Sequence, residues 1–342
     1  MNFVAIRGNR FTLEGRGLRL KGVNYSDPDS PWLWFQKWSP QATRRGLAEA
    51  AALGVNCVRM WVPHSSEEVD PNGPGPFALI DEFLHAAELR DIRCYVGLRW
   101  QHKWTERGSL DDQANLEFLG ALLEMLKDDP RVVAWDLMNE ADHVSHECWQ
   151  WNMDPPEAER RLLWLKRMCD VVKEADPVHP LSMGATFSYS YWQPDGPLSL
   201  ESMVDVVDFH YYRANYRTTT VAEEIRAVRE HTDKPILVGE FGFSSCPKCT
   251  IRGEPEHSEE LQAAMYDEYL SDCESGNVAG LLPWVLTDYR EEFESGESAF
   301  GLLRVDYTPK PAGALYASKF RVSDHPEAPV PGSMPVRPVA VG

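Results

Sequence analysis

Two glutamates stand at the ends of apolar runs, one hundred residues apart in the chain. Glu140 follows the run that starts at Val132 and stops on Asn139-Glu140, and Glu240 ends the apolar segment of P-I-L-V-G-E at 235–240. An apolar run that stops on a carboxylic acid reads as a buried parallel strand delivering that acid at its C-terminal tip. A single acid of this kind usually caps a helix or pairs with an arginine. Two of them fit a more specific chemistry. One carboxyl group protonates the leaving oxygen of a glycosidic bond while the other attacks the anomeric carbon, across a gap of about 5–5.5 Å. Like-charge repulsion from the ionised attacker keeps its neighbour protonated until the leaving group has gone.

Other polar residues fall at the ends of apolar runs in the same way. Arg59 lies in V-R-M-W at 58–61, His210 and Tyr212 close the run at 203–209, and Trp284 lies in P-W-V-L at 283–286. An arginine beside Glu240 favours its carboxylate, and a tyrosine can donate a hydrogen bond to it. The asparagine amide of Asn139 can grip a sugar hydroxyl. Trp34 lies in the loop 26–39 with Trp32, Phe35 and Trp38, and Trp100 and His102 lie in R-W-Q-H-K-W at 99–104. Aromatic rings on loops suit the apolar C–H faces of sugars. A mini-core beneath the loop is the alternative for the first group. His64, His85, His143, His146, His179 and His231 read as surface or structural residues.

These residues converge only if their elements do. Apolar runs at 18–25, 55–62, 92–98, 131–138, 179–186, 203–209, 235–240 and 278–285 read as eight strands. They alternate with helical patterns at 41–53, 76–90, 110–127, 156–175, 221–231, 258–276 and 310–320. Such alternation predicts a parallel sheet closed into a (β/α)8 TIM barrel, with chemistry at the C-terminal ends of the strands. A doubly wound sheet would want a Gly-rich phosphate loop after an early strand, and none is present. Residues 2–20 read as a short β-hairpin around Gly8-Asn9-Arg10, plugging the bottom of the barrel. One catalytic domain over 1–322 is expected, followed by an extended Pro-rich tail at 323–342.

The motifs V-R-M-W, W-D-L-M-N-E, His210-x-Tyr212, P-I-L-V-G-E-F-G and P-W-V-L resemble glycoside hydrolase family 5, in clan A of the retaining β-glycosidases. Their order and strand positions match from about residue 18 to 320. The resemblance implies Glu140 as acid/base and Glu240 as nucleophile. It also implies Asn139 on the 2-hydroxyl, Arg59 and Tyr212 positioning Glu240, His210 assisting Glu140, and Trp284 under the sugar nearest the scissile bond. His102 is the nearest match to a histidine the family carries after its third strand.

Composition bounds the substrate. A formal net charge of −19 argues against nucleic acid and anionic membranes, and fits a neutral oligosaccharide. Twelve Trp and twelve Tyr suit a carbohydrate cleft as well as a core. No run has the length of a membrane span, and charged residues interrupt any leader-like segment at the N-terminus. Seven scattered Cys read mainly as thiols, which with the absence of a leader predicts a cytoplasmic enzyme. Cys246 and Cys249 form a C-x-x-C, for which Cys273 and His257 are only loose partners, so no metal and no cofactor are expected. The expected substrates are β-linked manno- or gluco-oligosaccharides, trimmed from the end as by a β-mannosidase. An endo-acting mannanase or cellulase is the alternative. Outside that class stand a catalytically silent carbohydrate-binding barrel and a metal-dependent barrel hydrolase using His102 and His210.

Overall fold

The computed structural model describes residues 1–31, 35–63, 69–98, 113–144, 147–148, 155–193, 199–213, 219–249, 257–290 and 296–319. Trp34, Trp100, His102 and the tail at 323–342 lie outside the described residues. Three short antiparallel strands come first: β1 (Val4–Arg7), β2 (Arg10–Leu13) and β3 (Arg16–Leu18). The expected hairpin therefore carries a third strand, because the second turn at Glu14-Gly15 folds the chain back once more; both of those residues have positive φ. The buried side chains of Val4 and Phe11 join Leu20, Tyr95, Val133, Leu237 and Leu282 in one apolar cluster, with Ile6, Leu13 and Leu18 against it. The small sheet thus covers the end of the barrel where the core strands begin.

The parallel strands are β4 (Leu20–Asn24), β5 (Cys57–Trp61), β6 (Arg93–Gly97), β7 (Val132–Asp136), β10 (Leu181–Ser182), β11 (Gly184–Ala185), β12 (Val207–Tyr212), β13 (Ile236–Gly242) and β14 (Gly280–Pro283). Between β7 and β10 lies a two-stranded antiparallel pair, β8 (His143–Val144) and β9 (Glu147–Cys148). The barrel order is β10-β7-β6-β5-β4-β14-β13-β12-β11. β10 pairs with β7 and β11 pairs with β12, and only Met183 separates the two pieces. They make one interrupted fifth strand, through which the TIM-like ring closes. At the interruption the buried Tyr191 hydroxyl reaches Met183 O and Asp208 O (2.8 Å) and accepts the Asp208 N–H (2.9 Å). A side chain thereby satisfies groups that a continuous ladder would have paired.

The main helices are α1 (Pro40–Ala52), α2 (Pro76–Glu88), α3 (Gln113–Leu126), α4 (Pro155–Ala175), α6 (Val221–Arg229), α7 (Glu259–Ser275) and α8 (Pro311–Lys319), with one short turn, α5 (Leu200–Met203). Their starts follow local chemistry. Ser39 and Ser258 cap α1 and α7 by accepting backbone N–H groups, and Thr220 with Glu223 forms a capping box on α6. The sixth strand starts later than the apolar run suggests, because Met203 belongs to a helical turn, and it ends on His210-Tyr211-Tyr212 as expected. Period-two alternation puts Asp208, His210 and Tyr212 on its inner face. Tyr211 turns away, with its hydroxyl on Thr219 O (2.7 Å) and its ring against Tyr269.

Candidate active site

Arg59 sits in the middle of β5 and is wholly buried. A guanidinium has five N–H groups, and each of these has a partner. Nε and Nη2 donate to Asp136 Oδ2 (2.9 and 2.6 Å), Nη2 also to Asn139 Oδ1 (3.1 Å), and Nη1 to Asn24 Oδ1 (3.0 Å) and to Glu240 Oε1. Burial works against the charged guanidinium, but the carboxylates of Asp136 and Glu240 overcome it and hold its pKa above the ordinary range. Asn24 fixes the group from below. Its amide nitrogen donates to Gly239 O (2.9 Å) and Leu282 O (3.0 Å), tying β4 to β13 and β14.

Glu240 projects from β13 where the ladder with β12 slips, so that His210 stands opposite Glu240 and Gly239 is passed over. Gly239 is required there, since a Cβ would lie 2.1 Å from an Asp208 oxygen. The second oxygen of Glu240 accepts the Tyr212 hydroxyl at 2.8 Å. Burial first and the charge of Glu240 second hold the Tyr212 pKa well above that of free tyrosine, so the group is a donor at neutral pH.

Asn139 and Glu140 lie in the turn just beyond β7. Glu140 has φ 44, in the left-handed region that a non-glycine residue seldom occupies and that clusters at functional sites. His210 Nδ1 lies 3.0 Å from Glu140 Oε1 and 3.5 Å from Glu240 Oε2. One nitrogen therefore faces both carboxyl groups. Burial lowers the imidazole pKa, but Glu240 and the hydrogen bond to Glu140 outweigh it, and the net shift is upward. Gly184 makes room for the ring: a Cβ there would sit 2.8 Å from His210 Nε2 and 3.0 Å from Arg59 Nη2. Glu140, His210 and Glu240 each bring one atom within 4.8 Å of the others. Among the described residues this is the one set of three that could offer ligand atoms to a metal, and the Arg59 cation already occupies Glu240.

Trp284 is buried beyond β14, grouped with Val285 and Tyr289 and touched by Tyr212 and Phe300. Its indole N–H donates to Glu297 Oε1 at 2.6 Å. Six of the sequence candidates thus gather at one end of the barrel with Glu240: Glu140, Asn139, Arg59, His210, Tyr212 and Trp284. The sequence reading missed Asp136, Asp208 and Glu297. For Asp136 a signal was present, since an acid inside an apolar strand must find a cation. Phe35 is buried, stacks on Trp38 (6.0 Å), and both pack on the main core, so these two are mini-core. Tyr191 and Trp192 after β11 are likewise structural, the latter stacked on His231 at 4.3 Å.

The profile described as Cellulase (glycosyl hydrolase family 5) matches residues 11–271 of this sequence. The chain belongs to glycosyl hydrolase family 5. This family-5 glycoside hydrolase is 24% identical over 371 residues to mannan endo-1,4-beta-mannosidase 2 of Oryza sativa subsp. japonica, covering 86% of the chain and 79% of the relative. Among solved structures its fold is similar to a GH2 beta-galacturonidase from Eisenbergiella tayi (TM-score 0.68, 18% identity, 93% of this chain). The chain spans about half the length of that structure, 54%. It is similar also to an exo-beta-1,4-mannosidase from Opitutaceae bacterium strain TAV5 (TM-score 0.70, 18% identity, 93% of this chain and 61% of the other).

Proposed function

We propose that this family-5 hydrolase cleaves β-linked manno-oligosaccharides by double displacement, with Glu240 as nucleophile and Glu140 as acid/base. The observation that carries the reading is the shared approach of His210 Nδ1 to both carboxyl groups, with one atom of each of the three side chains within 4.8 Å of the others. That closeness suits retention, since an inverting pair stands about 6.5–9.5 Å apart to admit a water. In the first step a Glu240 oxygen bonds to the anomeric carbon as the glycosidic C–O bond breaks, and Glu140 gives its proton to the leaving oxygen. In the second, Glu140 takes a proton from water, the water oxygen bonds to the anomeric carbon, and the Glu240 ester opens.

The surroundings suit each stage. Arg59 and Tyr212 fix the two oxygens of Glu240 before attack. Once the ester forms, Arg59 keeps Asp136 as its counter-charge. His210, shifted toward its charged form, favours Glu140 as the carboxylate that activates water. The Asn139 carbonyl is taken by Arg59, so its amide NH2 is what it offers a 2-hydroxyl.

Mannose is supported by the similarity to the mannan endo-1,4-beta-mannosidase of Oryza sativa. End-on action is supported by the setting. Cys57, Cys94, Cys169 and Cys273 are buried free thiols, which fits a reducing cytoplasm where short oligosaccharides are met. Endo action on a polymer is the second reading, and the endo-acting name of that relative favours it. Aryl β-mannoside and aryl β-glucoside, assayed side by side, test the proposal. Turnover of the mannoside with the β-anomer formed first is expected, falling by about 10³-fold or more in Glu240→Gln. Cleavage restricted to longer manno-oligosaccharides would shift the mode to endo. Normal turnover by Glu240→Gln would sink the nucleophile assignment.

A further inference from the structure

The carboxyl group of Glu297 has no part in the two displacements. It rides on a single helical turn, Glu297–Ala299, beyond β14. That turn is anchored from several sides. Ser244 donates its hydroxyl to Gly296 O (2.8 Å), and Tyr289 N–H donates to Ser298 O (3.0 Å). Ala299 O receives Ser245 N–H (3.0 Å), the Lys310 ammonium (3.1 Å) and the Gln262 amide (3.4 Å). None of these anchors uses the Glu297 side chain. Its Oε1 accepts the Trp284 indole N–H, and among the described residues Oε2 has no hydrogen bond.

This is an expensive place for an acid. Burial first, then the charges of Glu240 and Glu140, push its pKa up to about 7 against the opposing hydrogen bond from Trp284. Holding Trp284 does not require that acid, because a glutamine oxygen would accept the same N–H. A third carboxyl beside the reacting pair therefore calls for a use outside the fold.

We propose that Glu297 selects the sugar: its second oxygen binds hydroxyl groups of a neutral ring seated beside Trp284, and its charge turns away uronates. The proposal rests on Glu140 and Glu240 being the reacting pair. A carboxylate oxygen accepts from sugar hydroxyls, which are plentiful donors, whereas a sugar bearing its own carboxylate would meet the charges of Glu297 and Glu240 together. The permanent cations nearby are already matched by carboxylates of the fold, Arg59 by Glu240 and Asp136 and Lys310 by Asp288. Arg59 has committed all five N–H groups. Lys310 has committed its three to Asp288 (2.7 Å), Ser245 (3.0 Å) and Ala299 O (3.1 Å).

The test compares wild type, Glu297→Gln and Glu297→Ala on the aryl β-glycoside that wild type cleaves and on its C6-carboxylate counterpart. Glutamine keeps the indole acceptor and removes the charge and one acceptor oxygen. The expected result for Glu297→Gln is a KM on the neutral substrate raised about tenfold, kcat changed less, and a neutral-to-uronate ratio of kcat/KM lowered about tenfold or more. A second measurement needs no turnover: calorimetric affinity for mannotriose in the Glu240→Gln protein, with and without Glu297→Gln, should weaken about tenfold. A KM, ratio and affinity all within twofold of the parent would overturn the selection role while leaving the reacting pair intact. Loss of activity in Glu297→Ala alone, with Glu297→Gln normal, would overturn it too, because Glu297 would then merely hold Trp284. Failure of wild type on every neutral glycoside, with no mannotriose binding, would overturn the reacting-pair reading and this proposal with it.

Discussion

At the scale of single residues, the site is a problem in placing charge where water is scarce. Arg59 solves part of it by serving Glu240 and Asp136 at once. That solution was half legible in the sequence. A charged residue inside an apolar run marks a buried ion, so Arg59, Glu140 and Glu240 stood out. Glu297 did not, because it lies in a Ser-, Gly- and Glu-rich loop where acids are ordinary. Its cost to the fold is measurable. The unfolded carboxyl titrates near the ordinary glutamate value of about 4.3 and the folded one at about 7. Between those values the native state holds the extra proton, so stability falls as pH rises through the window and stays lower above it. Glu297→Gln removes the effect. It should leave Tm unchanged near pH 4 and raise stability by about 1–2 kcal/mol at pH 8, after allowance for partial solvent screening. Thermal melts of both proteins at the two pH values check this; an equal Tm difference at both would contradict it.

At the scale of elements, the strands were readable because parallel strands buried on both faces are near-continuous apolar runs. The sixth was started too early because the apolar Met203 and Val204, at the end of a helical turn, run toward it in the sequence, and its polar inner face at Asp208, His210 and Tyr212 leaves the period weak. The glycines of the site strands were visible as letters but not as requirements. Gly184 is one of them, since its missing side chain is the space that His210 and Arg59 fill. In Gly184→Ala the imidazole must move from its place between the two glutamates, while the backbone φ needs no change. The expected outcome is a fold that survives with a Tm loss of a few degrees and a kcat lowered about 10²-fold. Circular dichroism and steady-state kinetics separate the two effects, and unchanged kcat would show that His210 has slack.

At the scale of the molecule, alternation of strands and helices was enough to give the barrel, because its topology follows from repeated right-handed crossovers. How the ring closes was not readable, since closure depends on a hydroxyl eight residues beyond the gap it spans. That closure has a dynamic consequence. A ring is as hard to open as its weakest join, and here the join is two ladders of only two residue pairs each, with one phenol spanning the break between them. Local fluctuations that expose amides to solvent deuterium should start there. Tyr191→Phe strands the Asp208 N–H and Met183 carbonyl, at a cost of about 1–3 kcal/mol. Amide exchange at Leu181–Ser182, Gly184–Ala185 and Val207–Tyr212 should then quicken by about 10–100-fold, with the opposite side of the barrel at β4 and β5 little changed. The catalytic histidine candidate rides on that join, so the same breathing that lets deuterium in would also set how often His210 leaves its two glutamates.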